Sequence, residues 1–305
     1  MMHYRGRAFR PPFEEKSLLI EATVGCSRDK CAFCSLYHDT PFSPSPMEDI
    51  ESDIRFIGRN RTLFKRVFLL GGDPFCLPYS RLRRIGELIG EQIPRVETIG
   101  CYASVRNILA KTPEQLADLA KLGYSGLNIG FETGLDDVLA FMDKGNTADE
   151  AREAFARLNE AGIPFTVNLV MGLAGADRGV ENALANAAIV NEAQPQLIIV
   201  TALNVWPGTK LSDSVAAGEF APPTLREVIE EEAAFLRATE LDDTFFFGMH
   251  ELNPVRVNGN LPQDRDFLAD ELEAGIGRFP AHQLDAQVRQ VFREGGSVRR
   301  TGRTM

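Results

Sequence analysis

Short apolar runs alternate with longer amphipathic stretches through the first two thirds of the chain. The runs fall at 18–24, 66–71, 97–102, 127–131, 165–171 and 197–203. Most are almost continuously apolar, the pattern of parallel strands covered on both faces. Helix starts stand between them. Ser45-Pro46-Met47-Glu48, Thr112-Pro113-Glu114-Gln115 and Thr147-Ala148-Asp149-Glu150 each place a hydroxyl at the N-cap and an acid or amide at N3. Gly123, and Gly162 with Pro164, mark helix ends. Six such strand–helix units predict an α/β fold, a partial (β/α)6 TIM-like barrel. Chemistry on such a barrel gathers at the C-terminal ends of its strands.

The rhythm breaks after residue 203. A loop at 204–209 and the pair Pro222-Pro223 precede a long acidic helix pattern. The aromatic run Phe245-Phe246-Phe247 then leads to His250 and Asn253, with helix patterns near 263–276 and 281–293. The expected organisation is a lead segment at 1–16, the barrel at 17–215, and an α-rich C-terminal extension at 216–305 that packs on the barrel.

Composition narrows the class. Of 305 residues, 44% are hydrophobic and 25% charged, as in an ordinary soluble enzyme. Five cysteines are too few and too clustered for a disulfide framework, so a reducing cytoplasm is expected. No apolar signal segment opens the chain and no run is long enough to span a membrane. A net charge of −10 argues against nucleic acid as the main partner. The basic stretch at 293–303 reads as a solvated tail.

Three of the cysteines carry the chemistry. Cys26, Cys31 and Cys34 read Cys-x4-Cys-x2-Cys where the first strand hands over to a loop. Three thiolates so close favour a soft metal centre. Either they hold an iron–sulfur cluster with one iron left open, or His38 completes a Cys3His zinc knuckle. Other strand ends are marked in register: Gly71-Gly72-Asp73-Pro74, Gly130-Phe131-Glu132-Thr133-Gly134, Met171-Gly172 and Pro207-Gly208. A zinc knuckle has no use for such glycines.

Together these motifs, over residues 17–215, resemble the radical S-adenosylmethionine (SAM) superfamily, and most closely its coproporphyrinogen-oxidase-like branch of Fe–S oxidoreductases. The resemblance implies a single 4Fe–4S cluster on Cys26, Cys31 and Cys34, whose free iron binds the amino and carboxylate groups of SAM. It places Phe33 near the adenine and Gly71, Gly72 and Asp73 at the methionyl amino group. Glu132 is then a polar contact to SAM, Lys144 a partner of its carboxylate, and Met171 and Gly172 contacts of the adenine. Two departures stand out: the first cysteine gap is one residue longer than the commonest spacing, and Asp73 replaces a glutamate.

The implied reaction is reductive cleavage of SAM to a 5′-deoxyadenosyl radical, which takes hydrogen from a small-molecule or nucleobase substrate. An external donor of flavodoxin or ferredoxin type would supply the electron, in an oxidoreductase or lyase. No cysteine follows Cys101 or precedes Cys26, so auxiliary clusters are not expected, and the short lead makes a cobalamin domain unexpected. Cys76 and Cys101 near the second and third strand ends are candidates for lining the pocket or donating hydrogen, against a reading as small buried hydrophobes. Asn168, Asn204 and Trp206 fall near the mouth-facing ends of strands five and six. Buried asparagines there need partners that a ligand would supply.

Overall fold

The computed structural model describes residues 2–59 and 63–288. Its strands are β1 (Leu18–Glu21), β2 (Thr23–Val24), β3 (Ser43–Pro44), β4 (Arg66–Leu70), β5 (Thr98–Ala103), β6 (Leu127–Glu132), β7 (Phe165–Met171), β8 (Leu197–Ala202), β9 (Thr244–Phe247) and β10 (Asn258–Leu261). The helices are α1 (Met47–Arg59), α2 (Tyr79–Gln92), α3 (Val105–Leu109), α4 (Pro113–Lys121), α5 (Asp136–Phe141), α6 (Ala148–Ala161), α7 (Gly179–Ala193), α8 (Lys210–Ala217), α9 (Leu225–Ala238), α10 (Arg265–Ile276) and α11 (Ala281–Leu284).

Eight strands form one sheet in the order β1-β4-β5-β6-β7-β8-β9-β10. Pairing is parallel from β1 through β9, and β10 closes the series antiparallel to β9. Each crossover carries helices on one face, as a partial TIM-type barrel requires. Five of the six expected strands lie within one residue of their predicted limits. The first run splits at Ala22, because β2 leaves the sheet to pair with β3.

Residues along each strand sort by parity. On β7, Phe165, Val167, Leu169 and Met171 enter the hydrophobic core under the helices, and Ile99 and Cys101 of β5 do the same. Thr166 and Asn168, or Asn128, Gly130 and Glu132 on β6, take the other face. Phe155 of α6 stacks on Phe165 at 5.1 Å and meets the edge of Phe131 at 5.7 Å. Each buried ring of this kind is worth roughly 1.5–3 kcal/mol.

The C-terminal segment does more than pack on the barrel. Its aromatic run is β9, a seventh parallel strand, with Phe246 buried in the helix-side core. Phe245 and Phe247 face the other way and meet Phe13 edge-on, at centroid distances of 6.1 and 4.7 Å. A triple aromatic run suits a strand apolar on both faces. The helix pattern near 281–293 appears as α11 within the described residues. The basic stretch at 293–303 lies outside them.

Thr112 and Thr147 form full capping boxes with Gln115 and Glu150, as their spacing predicts. Thr224 and Glu227 form a third, at the start of α9. Ser45 does not cap α1; its hydroxyl turns back to Glu21 Oε1 at 3.2 Å.

At the N-terminal ends of the strands, the lead segment is seated beneath the barrel. Glu14 is buried and pairs with Arg66 at 2.7 Å. The same guanidinium donates to Thr98 Oγ1 and to the carbonyls of Ser125 and Gly126, tying β4 to the starts of β5 and β6. Replacing Arg66 by Met leaves Glu14 buried without its partner. Urea denaturation of Arg66→Met is expected to show a loss of about 3 kcal/mol; an unchanged midpoint would show that the latch carries no stability.

Candidate active site

The loop from 25 to 42 is fixed at both ends by the β2–β3 ladder. It passes so close to the end of β4 that side chains are excluded. A Cβ on Gly72 would lie 2.7 Å from the Cβ of Cys26, and one on Gly71 (φ 135°) would fall on Thr23. The Gly72 amide donates to the Gly25 carbonyl at 2.8 Å. On the far side the Ala32 amide donates to Met142 O at 2.8 Å, and the Leu211 amide to Ala32 O at 2.9 Å. Arg28 adds an ion pair with Asp143 and two hydrogen bonds to its carbonyl.

This strapping presents all three thiols to one cavity of about 270 Å³, which is also lined by Phe33, Gly72, Asp73, Glu132, Lys144 and Asn168. Nine of the residues singled out from the sequence therefore meet in one place. Burial pushes the Cys26 thiol up and the Cys34 thiol up to about 11. Among the described residues, no three His, Cys, Asp or Glu side chains converge as the coordination sphere of a single ion. A zinc ion requires every sulfur at about 2.3 Å.

Asp73 is buried at the cavity wall. Its Oδ2 accepts from Ser27 Oγ at 3.0 Å, Ser104 Oγ at 2.9 Å and Asn107 Nδ2 at 2.5 Å. Its Oδ1 is buried and has no partner among the described residues. Burial raises its pKa, and the three hydrogen bonds and Lys111 oppose that shift. An orphaned acceptor of this kind fits a bound ammonium group. The shorter side chain at this position thus keeps one oxygen free.

Glu132 closes β6 with a φ of 73°. The Thr133 amide donates back to Phe131 O at 3.0 Å, and the register to β7 slips between Gly130 and Glu132. A non-glycine residue held there costs on the order of 1–3 kcal/mol. Its carboxylate meets Lys144 Nζ at 2.8 Å. A Cβ on Gly130 would lie 2.4 Å from Glu132 Oε1 and 2.9 Å from Lys144 Nζ, so only glycine leaves room for the pair. Burial alone would lower the Lys144 pKa, but Glu132, Cys31 and Cys34 more than offset it and hold the ammonium charged.

Five expected contacts lie elsewhere. Met171 is buried in the helix-side core, and the Gly172 amide donates to Glu231 of α9 at 2.8 Å. Met171 shares the parity of Leu169, and Gly172, past the strand end, lies against Pro223 and Val228. Gly71 spends its space on Thr23. Cys101 is buried under the helices, its thiol raised far above the usual range by burial. Cys76 sits in the turn after Gly72 and does not line the cavity; burial pushes it up to about 12. Neither cysteine is placed to donate hydrogen into the pocket.

Asn168 lines the cavity and donates to Ile129 O at 3.1 Å. Asn204 is buried, Trp206 is exposed, and neither lines the cavity. Asn253 caps the end of β8 through Ala202 N and Val200 O, and His250 accepts from the Leu252 amide. Missed by sequence reasoning were Phe9, Tyr37 and Tyr102 on the cavity wall. The parity of Tyr102 with Thr98 and Gly100 would have found the last.

The family model of the radical SAM superfamily matches residues 20–185. The chain belongs to that superfamily. Its cofactors are a 4Fe–4S cluster and SAM, and the zinc alternative with His38 falls. The tRNA uridine(34) acetyltransferases of Methanocaldococcus jannaschii and Methanocaldococcus infernus are 24% and 21% identical over 118 residues. Those matches cover 38% of this chain and 22% of each relative, so the chain spans about a fifth of their length. Among solved structures, the radical SAM methyltransferase TsrM from Kitasatospora setae, with cobalamin and a 4Fe–4S cluster bound, aligns at a TM-score of 0.55. It has 16% identity, over 71% of this chain and 44% of that one. This likeness is one of fold. No helix among the described residues is long and apolar enough to cross a membrane.

Two acids on α9 lie behind the site. Burial raises Glu231 to about 8, against hydrogen bonds from Asn182 and Gly172. Glu232 is raised further by burial and by Glu231, and its Oε1 has no partner. The folded state therefore keeps protons that the unfolded chain releases above about pH 4.5, so stability falls as pH rises towards 8. The slope is about 1.4 kcal/mol per pH unit for each retained proton. Thermal melts are expected to show a lower Tm at pH 8 than at pH 6.5, with a shallower slope in Glu232→Gln. An equal slope in that variant would contradict the assignment.

Proposed function

We propose that Cys26, Cys31 and Cys34 hold the 4Fe–4S cluster and that the enzyme takes hydrogen from a nucleobase or similar small planar substrate. When bound, the reduced cluster would give one electron to the sulfonium of SAM, whose C5′–S bond would break to methionine and a 5′-deoxyadenosyl radical. The convergence of three thiols, Asp73 and the Glu132–Lys144 pair on one cavity carries this reading.

Asp73 Oδ1 accepts from the methionyl amino group, and the Gly72 backbone keeps that wall flat. Lys144 faces the SAM carboxylate, while Glu132 holds Lys144 charged and takes a polar contact of its own. Phe33 lies against the adenine. Four aromatic side chains, Phe9, Phe33, Tyr37 and Tyr102, line the cavity; they exclude water and give a planar substrate a face to stack on. The two acetyltransferase relatives carry tRNA uridine in their names, which supports a nucleobase, free or exposed on RNA. The reaction subclass follows from what happens to the substrate radical, as oxidation, elimination or transfer. A flavodoxin or ferredoxin in the cytoplasm delivers the electron. Residues 17–215 act as the catalytic unit of the expected organisation, and the described part of the extension, to residue 288, completes its sheet and buttresses it.

The test is anaerobic: reconstitute with iron and sulfide, reduce with dithionite, add SAM and measure 5′-deoxyadenosine. The product is expected from the wild type and at background from alanine variants of Cys26, Cys31 or Cys34. Glu132→Gln is expected to raise the KM for SAM about tenfold, the weight of one hydrogen bond to a charged group. A full cluster in the protein with Cys31 replaced, or an unchanged KM in Glu132→Gln, would contradict the respective assignments.

A further inference from the structure

Glu132 occupies a backbone state that its side chain disfavours, and nothing within β6 explains why it persists. The explanation lies in the two layers behind it. Thr133 Oγ1 donates to Asn182 Oδ1 of α7 at 2.5 Å and accepts the Leu135 amide at 3.1 Å. The Gly134 amide donates to Asn186 Oδ1 at 2.6 Å. Asn182 is oriented in turn by α9, because its Nδ2 donates to Glu231 Oε1 at 2.6 Å. The other oxygen of Glu231 accepts the Gly172 amide at the end of β7. Thr133, Asn182 and Glu231 are all buried, at 0%, 0% and 1% exposure.

Glu231 Oε1 accepts from Asn182 Nδ2 and Oε2 from the Gly172 amide, and Asn182 turns its own oxygen to the Thr133 hydroxyl. A hydrophobic residue at 231 would leave Asn182 and Gly172 with unpaired donors in the interior. The charged groups acting on Glu231 are its helix neighbours Glu227 and Glu232, and α7 and the β7 end face it with neutral donors.

We infer that Glu231 is a positioning residue of the SAM site: through Asn182 and Thr133 it holds the strained turn that presents Glu132, and through Gly172 it fixes the adjacent strand end. The inference rests on the reading of Glu132 as a SAM contact. It gives the C-terminal extension a part in cofactor binding.

Two variants test it. Thr133→Val removes the hydroxyl at nearly constant shape, and Glu231→Leu removes the anchor; Thr133→Ser keeps the hydroxyl. In cluster-loaded protein, equilibrium dialysis is expected to show SAM affinity weakened about tenfold in the first two, with iron content unchanged and Thr133→Ser close to wild type. In cluster-free protein, deuterium uptake at 130–135 is expected to rise in the same two variants. In a Glu132→Ala background, Thr133→Val should weaken SAM no further. An equal loss from Thr133→Val in both backgrounds, or unchanged uptake at 130–135, would overturn the clamp alone. Full SAM affinity in Glu132→Ala would overturn the reading of Glu132, and this inference with it.

Discussion

The cysteine loop and the end of β4 approach each other so closely that the site depends on two missing side chains. Gly72 has no room for a Cβ against Cys26, and its amide is bonded to the Gly25 carbonyl. That contact sets where Cys26 stands relative to the sheet. The rest of the loop is then tied to distant elements, to Met142 beyond α5 and to Leu211 of α8. A loop carrying three ligands cannot rely on its own secondary structure, since among the described residues only the two-residue β2–β3 ladder closes it. Its precision comes from backbone bonds to three other segments, the end of β4, Met142 and Leu211.

The electrostatics follow from the same packing. In a chain with a net charge of −10, Lys144 stands beside Glu132 and the cysteine loop. Lys144 remains charged because Glu132, Cys31 and Cys34 outweigh the cost of burial. Behind the wall the balance reverses. Burial raises Glu231 and Glu232, with no cation among the groups acting on them and Glu227 and Glu231 adding to the shifts. Charge is retained where a ligand will meet it and suppressed where only structure is at stake.

Much of this was legible in the residues. Apolar runs located the six parallel strands, and capping boxes at Thr112 and Thr147 located two helices. Spacing and glycine-marked ends brought nine residues to one cavity. Failures came where a local rule was not carried through. Met171 and Cys101 sit at strand ends, but they share parity with Leu169 and Ile99, which fixes them under the helices. Phe245 to Phe247 were assigned to an α-rich extension although a strand buried on both faces accounts for them better. Glu231 and Glu232 fall in a long acidic helix pattern, yet they stand three and four places after the buried Val228, on the apolar face. The strained turn at Glu132 had no sequence signal, because the side chains that bond it, Asn182 and Asn186 of α7, are 49 and 52 residues away, and α9 acts only through Asn182.

The central claim is that three thiols leave one iron of the cluster open to SAM. Mössbauer spectroscopy of protein reconstituted with 57Fe, recorded before and after SAM is added, addresses it directly. One iron site of the cluster should shift on addition and the others should stay as they were. A spectrum in which all the irons are equivalent and indifferent to SAM would contradict the account.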